Sequence, residues 1–141
     1  MKEDRNETIE ASNTEFYRAI EAASIERMDE VWDHEESVRC VHPGWDLISG
    51  WGDVRESWLR IFEGAQKMRI SPTEVAISAV GDFGWVTCKE EITVFNKEGF
   101  DSVEAVATNL FMRRGNCWRL VHHHASPIPT LVPHQSSEAI Q

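Results

Sequence analysis

From Met68 onward the apolar residues of this 141-residue chain switch from helical spacing to strict alternation, and that switch narrows the folds open to it. Before it, Phe16, Ile20 and Ala23 mark a first helix over about Glu7 to Ala23. Ser12-Asn13-Thr14-Glu15 offers a capping box unless it lies inside a longer helix. Ser24 caps a short second helix carrying Ile25, Met28, Val31 and Trp32. Ser37 to His42 reads as a strand stopped by Pro43-Gly44, and Asp46 to Ser49 as a brief second one. A third helix then sets Val54, Trp58, Ile61 and Phe62 on one face, with Asp53 near its positive end and Gly64 as its stop.

After the switch, turn clusters divide the chain into strands over about Lys67–Val80, Trp85–Phe95, Phe100–Arg113 and Cys117–Ser126. The separators Gly81-Asp82-Phe83-Gly84, Asn96-Lys97-Glu98-Gly99 and Arg114-Gly115-Asn116 are too short for helical crossovers, so the strands should pair antiparallel. Pro72 marks an edge position or a bulge. Helices first and strands afterwards define an α+β domain, a curved antiparallel sheet with three N-terminal helices over one face and room for an apolar cavity between them. We expect one domain over residues 7–126 and a tail over 127–141 containing Pro127, Pro129 and Pro133.

The net charge of -10 argues against nucleic-acid or anionic-membrane partners, which need clustered Lys and Arg. No stretch approaches the roughly 20 apolar residues of a membrane span, and the N-terminus lacks a signal-peptide centre, so a cytoplasmic location is expected. Cys40, Cys88 and Cys117 are odd in number and far apart, which reads as buried thiols in a reducing compartment. A Cys40–His42 dyad is the minority reading.

Side chains alternate with period two, so Trp118, Leu120, His122, His124 and Ser126 leave one face of the last strand, and Arg119, Val121, His123 and Ala125 the other. Asn109 on the preceding strand, His122, His124 and His42 are therefore the candidate polar site. His42 is either a general base or a partner of the Pro43-Gly44 turn. Asn109 either donates to an oxyanion or ties strands together. His122 and His124 stand about 7 Å apart, a metal-compatible spacing if His42 converges, but no acidic second-shell partner is identifiable. No metal and no cofactor is expected. Lys89, Glu90 and Glu91 read as a solvated or subunit-facing surface.

Phe16-Tyr17-Arg18-Ala19-Ile20, Trp32, Cys40-Val41-His42-Pro43-Gly44-Trp45, Gly50, Ser57-Trp58, Ala107-Thr108-Asn109-Leu110-Phe111 and the run from Trp118 to Ser126 together look familiar. The chain resembles the SnoaL-like branch of the nuclear transport factor 2-like superfamily, which also includes ketosteroid isomerase-like proteins. The resemblance implies a cone-shaped sheet with a pocket against the helices and a homodimer through the convex face. It also lays His42 on the proton-shuttling carboxylate of steroid-isomerising relatives, Phe16 or Tyr17 on the oxyanion-holding tyrosine, and Asn109 on the protonated acid. Phe16, Tyr17, Trp32, Trp45, Trp58, Phe62, Phe111 and Trp118 are the candidates to contact a small apolar or planar ligand. The implied chemistry is that of a cofactor-independent isomerase, cyclase or dehydratase, with His122 or His124 returning the proton. The alternative is a non-catalytic binding or association module.

Overall fold

The computed structural model describes residues 7–64 and 67–129. Three helices precede the main sheet: α1 (Ile9–Ala22), α2 (Ile25–Val31) and α3 (Trp51–Glu63). Thr8, not Ser12, caps α1 by accepting from the Ala11 N–H at 3.0 Å, so Ser12-Asn13-Thr14-Glu15 lies inside the helix. Its polar side chains turn inward: Ser12 donates to the Trp118 carbonyl, and Glu15 pairs with Arg27 of α2 at 2.7 Å. Ser24 caps α2 as its sequence suggests, and Asp29 of α2 holds Arg55 of α3.

The strands are β1 (Arg39–Val41), β2 (Ile48–Ser49), β3 (Lys67–Val80), β4 (Phe83–Asn96), β5 (Gly99–Arg114) and β6 (Cys117–Ile128), ordered β2-β1-β6-β5-β4-β3 in one sheet. Every pairing is antiparallel except β1 with β6, which is parallel. Short turns force consecutive strands to reverse, but β1 and β6 are joined through most of the chain, and nothing local dictates their direction. The fold is thus α+β with a six-stranded mixed sheet. Its concave face lies under the helices, and its outer face carries the alternate residues. The last strand continues through Pro127 to Ile128, past the expected boundary at residue 126; residues 130–141, including Pro133 and His134, lie outside the described residues.

Two irregularities bend the sheet. Pro72 sits on the edge strand β3, and the register shifts between Thr73 and Ala76. On β6 the pairing jumps from Leu110–His122 to Phe111–Leu120, leaving Val121 as an extra residue. Before the bulge Leu120 points inward; after it His123 and Ala125 do. Gly84 of β4 makes room for the Ile9 side chain of α1, which a Cβ there would meet. The buried core runs from Phe16, Met28, Val31 and Trp32 of the helical layer to Val86, Ala107, Phe111 and Leu120 of the sheet. Among the described residues no helix is long and apolar enough to cross a membrane.

Candidate functional site

The bulge at Val121 decides which histidine enters the interior. Paired residues share a face, and the row Val86–Asn109–His123–Cys40 runs across β4, β5, β6 and β1 on the concave side. His122 and His124 belong to the adjacent rows, beside Leu110 and Thr108, on the outer face. The expectation that they join Asn109 and His42 is therefore corrected: it assumed unbroken alternation, and one inserted residue reverses the strand's sidedness. They cannot share a metal with His42, and among the described residues no three His, Cys, Asp or Glu side chains form a metal-binding group.

His123 is 2% exposed and forms a short hydrogen bond, 2.6 Å, between its Nδ1 and Asn109 Oδ1. The direction of that bond follows from the rest of the network. Tyr17 Oη donates to Glu90 Oε2 at 2.7 Å, so it is free to accept from Asn109 Nδ2 at 3.1 Å. The second Asn109 amide hydrogen goes to Asn13 Oδ1 at 2.9 Å. With both amide hydrogens committed, Asn109 presents only its oxygen to His123, and the network assigns the proton to Nδ1. His123 Nε2 is left with a lone pair and no protein partner among the described residues.

A similar assignment holds for His42. Ser57 Oγ donates to the Val54 carbonyl at 2.7 Å, the i−3 bond usual for a helical serine, and so accepts from His42 Nε2 at 2.8 Å. His42 Nδ1 keeps its lone pair; its polar neighbour among the described residues is the Cys40 thiol at 3.9 Å, which lies about as near to Nε2, at 3.8 Å. The Pro43-Gly44 turn is closed instead by Trp45 N–H on the His42 carbonyl, so the imidazole is not spent on that turn.

Both imidazoles sit in an aromatic box. Trp58 meets His42 edge-to-face at 4.5 Å, Trp45 does so at 4.8 Å, and Phe16 packs edge-on against His123 at 4.8 Å. The two imidazole centroids are 6.5 Å apart. Burial disfavours their charged forms, pushing His42 down to about 4 and His123 well below its ordinary range. Burial also raises the Glu90 carboxyl, against the opposing hydrogen bond from Tyr17. The Cys40 thiol is pushed up by burial and then by Glu90, which keeps it protonated and removes the thiolate a Cys40–His42 dyad would need.

These groups open on a cavity of about 270 Å³ lined by His42, His123 and Glu90 and by the apolar side chains Ile20, Trp45, Trp58, Ile61, Met68, Ile70 and Ile92. A larger groove of about 540 Å³ runs by Glu91, Thr93, Ser102 and Glu104, and among the described residues no imidazole or thiol lines it. Of the expected ligand contacts, Trp45 and Trp58 line the cavity. Phe16, Tyr17 and Phe62 stand behind its walls, with Phe62 packed on Trp58 at 5.8 Å. Trp32 and Phe111 belong to the core, where Trp32 stacks on Trp51. Trp118 lies elsewhere, under the Arg113 guanidinium beside a separate groove.

Asn109 and Tyr17 do not line the cavity, because their donors are consumed within the network; they hold His123 and Glu90 in place. Glu90 corrects the reading of that stretch as surface, being 1% exposed on the inward stripe with Val86, Cys88 and Ile92. Its alternation with those three apolar residues was the available signal. Asn13, four residues before Tyr17 on α1, and Ser57, one before Trp58 on α3, also entered the site unannounced.

A family description of the SnoaL-like domain matches residues 9–130. The chain belongs to the SnoaL-like family. A solved Streptomyces avermitilis protein of the nuclear transport factor 2-like family, provisionally called a dehydratase, is 32% identical over 86% of this chain and 95% of its own, with a TM-score of 0.80. A Thiobacillus denitrificans structure provisionally called a calcium/calmodulin-dependent protein kinase type II association domain is 31% identical over 86% and 96%, with a TM-score of 0.76. The Arabidopsis thaliana F-box protein SKIP8 is 31% identical over 81% of this chain. The SnoaL-like chain spans about half of that relative, 47% of its length.

The buried imidazoles predict an acid-side loss of stability. An unfolded imidazole takes a proton near 6.5 while folded His42 resists until about 4, so between those values the unfolded state binds more protons. Stability should fall as pH drops through that window, by up to about 3 kcal/mol from His42, with His123 adding in the same direction. Glu90 acts oppositely, its stabilisation being lost as pH rises through its raised folded value. Urea unfolding at pH 7 and pH 4.5 should therefore show a smaller difference for His42→Asn than for the unsubstituted protein; equal differences would contradict the assignment.

Proposed function

We propose that this SnoaL-like protein binds a small, largely apolar carbonyl compound in the cavity beside α1 and α3 and performs cofactor-independent acid–base chemistry on it, as an isomerase, cyclase or dehydratase. The observation that carries this reading is the pair of imidazoles lining an apolar cavity, each with one N–H committed inside the protein and one nitrogen left with its lone pair. Proton removal beside a carbonyl needs an unprotonated base in a site poor in water, and burial keeps both rings unprotonated at neutral pH. His42 or His123 is the proton acceptor. The imidazole that takes the proton also returns it, and Glu90, whose carboxyl burial pushes up, stands in the same lining. Asn109 and Tyr17 act through these groups as positioning residues. The relative provisionally called a dehydratase supports the same reaction class.

A second reading, self-association, is favoured by the outer sheet face. Trp85, Leu110 and Met112 are half-buried there and Val106 is exposed, a surface suited to a second copy of the chain. The relative provisionally called an association domain agrees with it. This homodimer and the cavity chemistry use opposite faces and do not compete. Light scattering at micromolar concentration should give a dimeric mass; a monomeric mass would remove the outer-face interface.

Catalysis is testable without knowing the natural substrate. In deuterated buffer at neutral pH, the protein should accelerate loss of the α-hydrogens of 2-indanone, followed by proton NMR. The His42→Ala/His123→Ala double variant, shown folded by circular dichroism, should lose roughly 10²-fold of that acceleration. Equal exchange with the protein, with the variant and in buffer alone, while 2-indanone still binds, would leave the chain a non-catalytic ligand-binding module.

A further inference from the structure

The hydrogen-bonding balance of the cavity is one-sided. His42 directs Nε2–H to Ser57 and His123 directs Nδ1–H to Asn109, so both rings offer the ligand an acceptor only. Glu90 receives Tyr17 on Oε2 and has a second carboxyl oxygen with no protein partner among the described residues. The side-chain donors that could balance these acceptors are scarce. Trp58 Nε1 is sealed away from solvent with no hydrogen-bond partner among the described residues, and Trp45 stands part-exposed. Among the described residues no Lys or Arg lines the cavity.

From this inventory we infer that the cavity selects an uncharged ligand whose polar end donates hydrogen bonds, an alcohol, phenol or enol hydroxyl, over a bare ketone or a carboxylate of the same frame. The inference rests on the cavity being a ligand site and adds the substrate class: if the substrate carries a carbonyl, it also carries a hydroxyl. A hydroxyl satisfies an imidazole lone pair, whereas a ketone oxygen placed there meets another lone pair, and both are left unpaired in a dry site. A carboxylate is worse, since no Lys or Arg among the described residues compensates its desolvation and Glu90 stands in the same lining. Size agrees with a compact frame. A cavity of about 150 Å³ already holds benzene, so about 270 Å³ admits one ring or a small fused pair with a substituent.

The test is a matched series on one frame: 2-indanol, 2-indanone, indane-2-carboxylate and indane. Affinities come from isothermal titration, and binding is placed by shifts of the Trp45 and Trp58 indole NMR signals. We expect 2-indanol to bind about tenfold or more tightly than 2-indanone, because an unsatisfied buried acceptor costs on the order of 1–3 kcal/mol, and the carboxylate to bind weakest of the four. His123→Phe should erase most of the alcohol's advantage while keeping the affinity for indane. Should that variant not fold, the ranking on the unsubstituted protein still decides. If 2-indanone binds as tightly as 2-indanol, or the carboxylate binds best, the inference is overturned while the cavity remains a ligand site. If none of the four binds, indane included, the ligand-site reading itself fails and this inference falls with it.

Discussion

The hydrogen bond from His123 Nδ1 to Asn109 Oδ1 is the constraint from which the rest of the cavity follows. Asn109 is fully buried on the central strand β5 and makes contact with α1 through Asn13 and Tyr17 and with β6 through His123, so one side chain ties the helical layer to two strands. Each of its polar atoms is used, which is what a low-dielectric interior requires of a buried amide. Because the amide can be satisfied in this way, Tyr17 is free to donate to Glu90, and His123 holds its ring with Nε2 left unprotonated. Removing the Asn109 amide would disturb a carboxyl and an imidazole that it does not itself present to any ligand.

The same arrangement explains an apparent mismatch between the protein and its site. The chain carries a net charge of -10, yet the imidazoles at the cavity are held neutral by burial and the carboxyl is pushed toward its neutral form. Charge is kept on the surface and in pairs such as Arg27–Glu15 and Arg55–Asp29, which fasten the helices to one another. The interior is therefore suited to moving protons between neutral groups rather than to holding ions. Structures similar to this chain carry names as different as a dehydratase and an association domain, and these side chains, not the fold, carry the reading as acid–base chemistry.

Much of the fold was legible because periodicity and turn residues are local signals: the three helices, the caps at Ser24 and Gly64, and the four long strands fall where the spacing puts them. The direction of β1 against β6 was not, since it is set by contacts remote in sequence. At the site, His42 and Trp58 were legible from a strand end and a helix stripe. Tyr17 and Phe16 remained ambiguous because α1 buries a stripe wide enough to take both. The choice among three consecutive histidines was illegible for a definite reason: Val121 breaks alternation through its pairing with β5, and nothing in the run from Cys117 to Ser126 marks it as the extra residue. Glu90 was obscured by its charged neighbours Lys89 and Glu91, although its spacing from Val86, Cys88 and Ile92 put it on the inward stripe.

The most direct check of this account is the protonation state of His123. In protein labelled with ¹⁵N at histidine, long-range ¹H–¹⁵N correlation at neutral pH should show His123 as a neutral ring with the proton on Nδ1 and a lone-pair shift on Nε2. A ring protonated at Nε2 alone, or an imidazolium carrying both protons, would contradict the orientation of Asn109 and with it the acceptor-lined cavity.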